Sequence, residues 1–373
     1  MVQIRENLTG EYWAFVPDPL PPPLDLEIST VNRLSSAERA LGELNGIGQM
    51  LPNPYLLIGP FLRREAVSSS RIEGTATNFE QLLLFEAVPA NQSSTSDTQE
   101  VVNYVRALEY GLEQIESSPV SLELLCQVHE RLLDSVRGEE THPGEFRTVQ
   151  NRIGRLNQSF ADSRYVPPPV AGMHPALAAF EEFIQAADDI PFLIKFALAH
   201  YQFEAIHPFE DGNGRVGRLM ISLLLCEHRY LFQPLLYLSS FFEKNREEYM
   251  TLLLRVSQHG DWKAWIDFFL EGVAEQSLDA VARSQRLLAL RQEYRERMQS
   301  GRSSPLAMQL VDELFARPAV TTPQARQYLG VTPVSAQRAI ERLGSAGILR
   351  EVTGRRRNRV YMAPEIFAIL EAD

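Results

Sequence analysis

The sequence predicts an all-α body with one small β-hairpin set into it, followed by a winged helix-turn-helix module. Three observations carry that prediction. Before Pro305, apolar residues recur mostly at the 3.6-residue spacing of amphipathic helices. The stretch 144–169 breaks this rhythm with short β-prone pieces bounded by glycine and proline, and Pro167, Pro168 and Pro169 close the hairpin they suggest. From Pro305 the order changes to three short helices and a hairpin with a basic tip.

Along the chain, Pro17 to Pro23 is proline-rich, cannot be helical, and delimits an N-terminal arm. Helical spacing runs from Leu26 to Gly46 and from about Phe61 to Ile72, before Gly74 ends it. Ala90 to Gln99 is polar and turn-rich, hence a loop. Val101–Ile115 and Leu122–Val136 return to helical spacing, the second stopping near Gly138. Phe192 to Ile206 is a helix with Ile194, Ala197, Leu198 and Tyr201 on its buried face, and Leu219, Met220, Leu223 and Leu224 mark another. Trp262 and Trp265 read as core. Past Gly272 a charged helix runs through Met298 into the small polar run Ser300–Ser304. Beyond it, Gln309–Phe315, Thr322–Leu329 and Pro333–Leu343 are the expected helices. The division that follows is an N-terminal helical region (1–110), a helical core (111–272), a connecting helix and linker (273–304) and the winged helix (305–373).

A formal charge of −12 and a pI near 5.2 argue against a general polyanion binder. Cys126 and Cys226 both sit in apolar helical runs, which fits core filling in a reducing compartment. His200, His228 and His259 show no metal-ligand spacing. No stretch approaches transmembrane length and no apolar leader opens the sequence, so a cytoplasmic protein without a membrane partner is expected.

The densest chemistry lies between His207 and Arg218, which reads His-Pro-Phe-Glu-Asp-Gly-Asn-Gly-Arg-Val-Gly-Arg. Gly212 and Gly214 free the backbone to present N–H groups, and a helix begins directly behind them, an arrangement suited to anions. Arg215 and Arg218 lie three apart, so both can face a ligand and offer bidentate donors to phosphate. His207 adds a group that takes a proton near neutral pH. Phe209 reads as a core anchor and Pro208 as a stiffener. A Walker-type loop is absent.

This run is similar, position by position, to the signature of the Fic (filamentation induced by cyclic AMP) family. The resemblance implies a helical core with a β-hairpin flap over the active site, transferring AMP from ATP to a hydroxyl side chain of a target protein and releasing pyrophosphate. It implies that His207 deprotonates the hydroxyl and that Asp211 holds Mg2+ on the α and β phosphates. Gly212, Asn213 and Gly214 would then cradle those phosphates, and Arg215 and Arg218 would offset charge on the leaving group and γ-phosphate. Ser69-Ser-Arg-Ile-Glu73-Gly74 resembles the inhibitory motif of family members that carry their own brake. By that resemblance Glu73 pairs with Arg218. Ser69, one turn earlier, is placed to hydrogen-bond the Glu73 carboxylate. Arg164, Tyr165 and Val166 fall in the flap, where an extended target would add as a strand. Tyr237, Asn245 and Tyr249 fall in the segment that resembles the nucleotide-pocket lining. The partners implied are a protein bearing a Ser, Thr or Tyr hydroxyl and the chain itself, with a homodimer open.

Between 305 and 373 the charge is +2, against −14 for the remainder. The basic wing and Ser335, Gln337 and Arg338 could meet DNA; equally, the module could dock a protein. A nucleotide-sensing DNA-binding regulator and an AMP-removing enzyme therefore stand as alternatives. Gly214 matches the AMP-transferring pattern, from which the phosphotransferring Doc branch departs.

Overall fold

A hairpin not expected from the sequence opens the chain: β1 (Val2–Glu6) and β2 (Gly10–Ala14) pair antiparallel, with Val2 opposite Ala14. The structure, a computed structural model, describes residues 2–6, 10–50, 55–87, 96–136, 142–154, 159–299 and 304–372. The proline-rich arm runs without helix to α1 (Ile28–Met50), and α2 (Tyr55–Ile72) follows, starting earlier than the apolar spacing suggested. The short α3 (Phe79–Ala87) was not expected. Helix α4 (Ser96–Gln114) takes in Ser96 to Gln99, so the end of the expected loop is helical; residues 88–95 lie outside the described residues. Helix α5 (Leu122–Leu132) opens on Ser121, whose side chain caps the Leu124 N–H, and ends before Val136; Gly138 lies outside the described residues. The body continues with α6 (Val170–Gln185), also unexpected, α7 (Phe192–Ile206), α8 (Asn213–Glu227), α9 (Ser239–Lys244), α10 (Arg246–His259) and α11 (Trp262–Gln299).

Helix α7 is the centre of the body. Every residue of it except Phe192 and Glu204 is buried, rather than one face only, because α6, α8, α10 and α11 all pack on it. Trp265 of α11 is fully buried and donates its Nε1–H to the Ala197 carbonyl at 2.8 Å. Cys126 and Cys226 are free, partly buried thiols. The boundaries expected at 110 and 272 fall inside α4 and α11. At Gly272 a Cβ would meet the Phe241 ring at 2.6 Å, so α11 packs closely on α9 there.

Helix α2 is tied down by three consecutive charged residues. Arg63 pairs with Glu86 at 2.7 Å, Arg64 with Asp279 of α11 at 2.8 Å, and the buried Glu65 accepts from the Tyr104 hydroxyl at 2.9 Å and from both the backbone and hydroxyl of Ser239. Each bond reaches a different element, so α2 cannot slide without breaking several at once.

The C-terminal module comprises α12 (Pro305–Ala316), β3 (Ala319–Thr321), α13 (Thr322–Leu329), α14 (Pro333–Ser345), β4 (Arg350–Glu351), β5 (Val360–Met362) and α15 (Pro364–Glu371), with sheet order β3-β5-β4. Thr321 and Gln324 form a capping box on α13, Thr332 caps α14, and Gly330, with φ +63°, makes the turn between them. The linker residues 300–303 lie outside the described residues. The module packs on α2 and α11 rather than standing apart. Arg291 pairs with Asp312 at 2.8 Å, and Arg283 donates to the carbonyls of Ile369, Leu370 and Ala372. At Gly59 of α2 a Cβ would sit 2.6 Å from the Ala316 carbonyl oxygen. Gly59→Ala is therefore expected to push α12 off α2 and to lower stability by about 1–3 kcal/mol in urea unfolding. An unchanged midpoint would show that the two helices separate freely.

Candidate active site

His207 follows the last turn of α7 in the left-handed conformation, φ +51°, with its N–H on the Phe203 carbonyl at 3.0 Å. A non-glycine residue holds that conformation only where its surroundings fix it. Here the buried Arg147 does so: its Nε–H donates to the His207 carbonyl at 3.0 Å, its backbone N–H to Pro208 O at 2.9 Å, and its Nη groups to Val149 O and Pro168 O. The half-buried imidazole faces a cavity of about 390 Å³. Its Nδ1 lies 3.3 Å from Glu204 O, an acceptor, so Nδ1 carries the proton and the Nε2 lone pair stays free. Burial pushes the imidazole pKa down to about 4, partly opposed by the Glu204 carbonyl, so the ring is neutral at physiological pH.

The loop after His207 is closed by Asn213, which receives the Phe209 N–H and donates to the Phe209 carbonyl, both at 2.8 Å. Its amide thus holds the loop rather than reaching for phosphate, as had been expected. Phe209 is fully buried and stacks on His129 at a centroid distance of 3.8 Å. His129 Nδ1 accepts the Gly144 N–H, so its Nε2 carries the proton and donates to Asp211 O at 3.0 Å. Burial holds His129 neutral, with its pKa near about 4. Gly212, at φ +78°, starts α8, and Gly212, Asn213 and Gly214 line the cavity. The first helical bond runs from Val216 to Gly212 O, so the N–H groups of Asn213 to Arg215 precede any intrahelical partner, as an anion cradle requires. Gly212's own N–H is taken by Asp211 Oδ1 at 2.7 Å.

The two arginines part company. Arg215 does not line the cavity; its buried guanidinium pairs with the buried Glu100 of α4 at 3.1 Å, because that face of α8 packs against α4. Arg218 does line it, 2% exposed. Its Nε donates to Ser69 Oγ at 2.9 Å, and its Nη2 to Ser69 O at 3.0 Å and to Glu73 Oε1 at 2.8 Å. Ser69 therefore serves the arginine, not the Glu73 carboxylate as expected. Burial would raise the Glu73 carboxyl pKa, but Arg218 more than reverses this and holds it below the ordinary value. Gly214 admits this carboxylate, since a Cβ there would run into Glu73 Oε1.

Of the three residues expected to line a nucleotide pocket, only Tyr249 faces the cavity, with its hydroxyl 2.8 Å from Nε2 of the fully buried His200. Tyr237 lies under α2 in a separate, much smaller pocket, and Asn245 bonds Phe241 O between α9 and α10. Met250, Leu253 and Leu254 form an apolar wall that was missed, although their spacing after Tyr249 is helical. In the flap, Ile153 and Tyr165 make one antiparallel bridge, and Arg164 and Tyr165 line the cavity; residues 155–158 lie outside the described residues. Val166 is buried against Tyr12 and Ala14, and its carbonyl accepts the Phe15 N–H at 2.9 Å, so the N-terminal arm already pairs where an incoming strand had been expected. Among the described residues no group of three His, Cys, Asp or Glu side chains could hold a metal by itself. Asp211 offers one oxygen: Oδ1 takes the Gly212 N–H, whereas Oδ2 is 3.7 Å from Arg215, beyond hydrogen-bond reach. Also unforeseen were Arg147 and His129, though His129 stood out as a polar residue among Leu125, Val128 and Leu132 at helical spacing.

A helix start with unpaired N–H groups, a neutral histidine and a buried arginine thus border one cavity of a helical protein. Residues 119–225 match the Fic/DOC family, residues 31–113 the Fic/DOC family N-terminal region and residues 308–361 an HTH DNA binding domain. The chain belongs to the Fic/DOC family, with a C-terminal winged helix-turn-helix module. It is 29% identical over 198 residues to the protein adenylyltransferase Fic of Nematostella vectensis, covering 52% of this chain and 42% of that protein. The protein of the same name from Culex quinquefasciatus is 26% identical over 214 residues, covering 56% and 39%. The chain thus spans about two fifths of the length of the curated relatives it matches. The crystal structure of a Fic family protein from Desulfovibrio desulfuricans G20 shares the fold, with a TM-score of 0.60 and 19% identity over 92% of this chain and 98% of that one. No helix among the described residues is long and apolar enough to cross a membrane.

Asn213→Ala leaves the buried Phe209 N–H without its acceptor. It is expected to destabilise the protein by about 1–3 kcal/mol in urea unfolding, with the helical circular-dichroism signal of the folded state retained.

Proposed function

We propose that the chain is a protein adenylyltransferase that transfers AMP from ATP to a Ser, Thr or Tyr hydroxyl of a target protein, itself included, and is restrained by Glu73. The observation that carries this reading is His207, neutral with a free Nε2, facing a cavity walled by the start of α8. The names of its relatives support it. In the step, His207 takes the hydroxyl proton as the oxygen attacks the α-phosphorus. The bond to the pyrophosphate oxygen breaks, and the electron pair leaves with pyrophosphate. The N–H groups at the start of α8 stabilise the charge developing on the α-phosphate. Mg2+ carried in with the nucleotide would be held by Asp211 and phosphate oxygens and would neutralise part of their charge. Arg215, paired with Glu100, stiffens α8 beneath the cradle. Arg218 is the phosphate partner, and Glu73 competes with the nucleotide for it.

The C-terminal module adds an accessory reading. Arg338 and the wing residues Arg355, Arg356, Arg357 and Arg359 are exposed, whereas Gln337 is held by Thr322 and Glu341. That surface fits DNA phosphate, and gel-shift with duplex DNA at rising salt tests it: retention lost in Arg356→Ala and Arg357→Ala supports contact, and no retention at low salt rejects it.

Incubation with ATP and Mg2+ should label the protein with AMP, measured by intact mass. Glu73→Gly should raise labelling about 10–100-fold, as expected for a charge-assisted pair of about 1.5–3 kcal/mol. His207→Ala in that background should lower it by about 10²–10⁴. Equal labelling with and without Glu73 would remove the brake, and labelling that survives His207→Ala would remove the base.

A further inference from the structure

Glu204 stands one turn before His207 on α7 and lines the same cavity, yet the transfer described above gives it no task. Its Oε1 is sealed from solvent and has no hydrogen-bond partner among the described residues. Gly217 of α8 lies directly opposite, where a Cβ would come within 2.6 Å of that oxygen. The charged and titratable groups around it are Arg218 from α8, Glu73 from the end of α2, Tyr249 from α10, and His200 and His207 on its own helix. His200 is held neutral by burial, its pKa pushed down to about 3, and so brings no charge.

A pocket for phosphates is a poor place for an unpaired carboxylate. Arg218 is already balanced by Glu73, so an ionised Glu204 would be an uncompensated anion, costly by itself and repulsive to any nucleotide. Burial raises its carboxyl pKa to about 7, with Arg218 pulling it down and Glu73 pushing it further up. The neutral form has what the ionised form lacks, an O–H to donate.

Resting on the nucleotide reading of this cavity, we propose that Glu204 binds the terminal phosphates of ATP as a neutral carboxylic acid, donating its O–H to a phosphate oxygen beside Arg218. When Glu73 withdraws, the freed guanidinium draws Glu204 toward its ionised form. Nucleotide binding then returns one proton from solvent to the carboxylate. AMP, which lacks the terminal phosphates, has no such demand.

The test is calorimetric titration of the full-length Glu73→Gly, His207→Ala protein with ATP and with AMP at pH 8, in two buffers of different ionisation enthalpy. The histidine variant prevents turnover and removes His207 as a proton source. ATP should bind with uptake approaching one proton and AMP with none. Adding Glu204→Gln should abolish the uptake and keep ATP affinity within a few-fold, because the amide still donates. Adding Glu204→Ala should weaken ATP about 10–100-fold and leave AMP unchanged. Uptake that persists in Glu204→Gln, equal uptake with AMP, or unweakened ATP binding in Glu204→Ala would overturn the assignment. Binding of neither nucleotide by the parent protein would instead overturn the nucleotide reading, and this proposal with it.

Discussion

A guanidinium with 2% of its surface exposed has to find partners inside the protein, and Arg218 finds them on one short stretch of chain. Ser69 supplies a hydroxyl and a carbonyl, Glu73 a carboxylate, and no water shell is left to substitute for them. That requirement fixes where the end of α2 lies over α8, and with it one wall of the cavity. It also makes the resting state self-consistent. Arg218 is not left bare, and the nucleotide proposed to bind it would exchange one set of partners for another rather than simply add its own.

The restraint proposed for Glu73 depends for its strength on how firmly α2 is held. Arg63, Arg64 and Glu65 bind four different elements of the body, α3, α11, α4 and α9, and α12 closes on Gly59 from the outside. A carboxylate carried on a loose segment would lose conformational freedom each time it engaged Arg218; one carried at the end of a clamped helix has lost it already. In the proposed competition with nucleotide, Glu73 therefore acts at high effective concentration, although a third of its side chain remains exposed to solvent. Because its pKa is depressed in the folded state, this contribution is fully present above the ordinary carboxylate value and is lost as pH falls below that value and through the depressed one.

Much of this was legible beforehand, for identifiable reasons. His207, Gly212, Gly214 and Arg218 stand in a contiguous run whose spacing carries its own geometry, and the pairing of Glu73 with Arg218 was implied by the resemblance of residues 69–74 to the family's inhibitory motif. Arg215 was misplaced because spacing on a helix gives an angle but not what faces it, and Glu100 of α4 is far away in sequence. Tyr237 and Asn245 failed for the same reason, since residues near a pocket in sequence need not border it. Helix α7 hid its centrality, because a helix buried on all sides has no polar face to give it a period. Arg147 acts through backbone carbonyls, contacts that leave no mark on the side-chain pattern, whereas His129 is marked as a polar residue on an apolar helix face but its partners in the loop are not.

Around Arg218 the protein pushes two carboxyl groups in opposite directions. Glu73 is partly exposed and bonded directly to the guanidinium, so the ionised form prevails; Glu204 faces Gly217 with a sealed, unpartnered oxygen, so burial shifts it toward the neutral form. One positive charge can compensate one negative charge, and the two acids divide according to which of them reaches it. The consequence reaches the chemistry. With Glu204 neutral as proposed, Arg218, Glu73 and Glu204 together bring no excess negative charge to the resting cavity. The polyphosphate of the proposed substrate would then have to displace a single carboxylate, the one whose chain end reaches toward solvent.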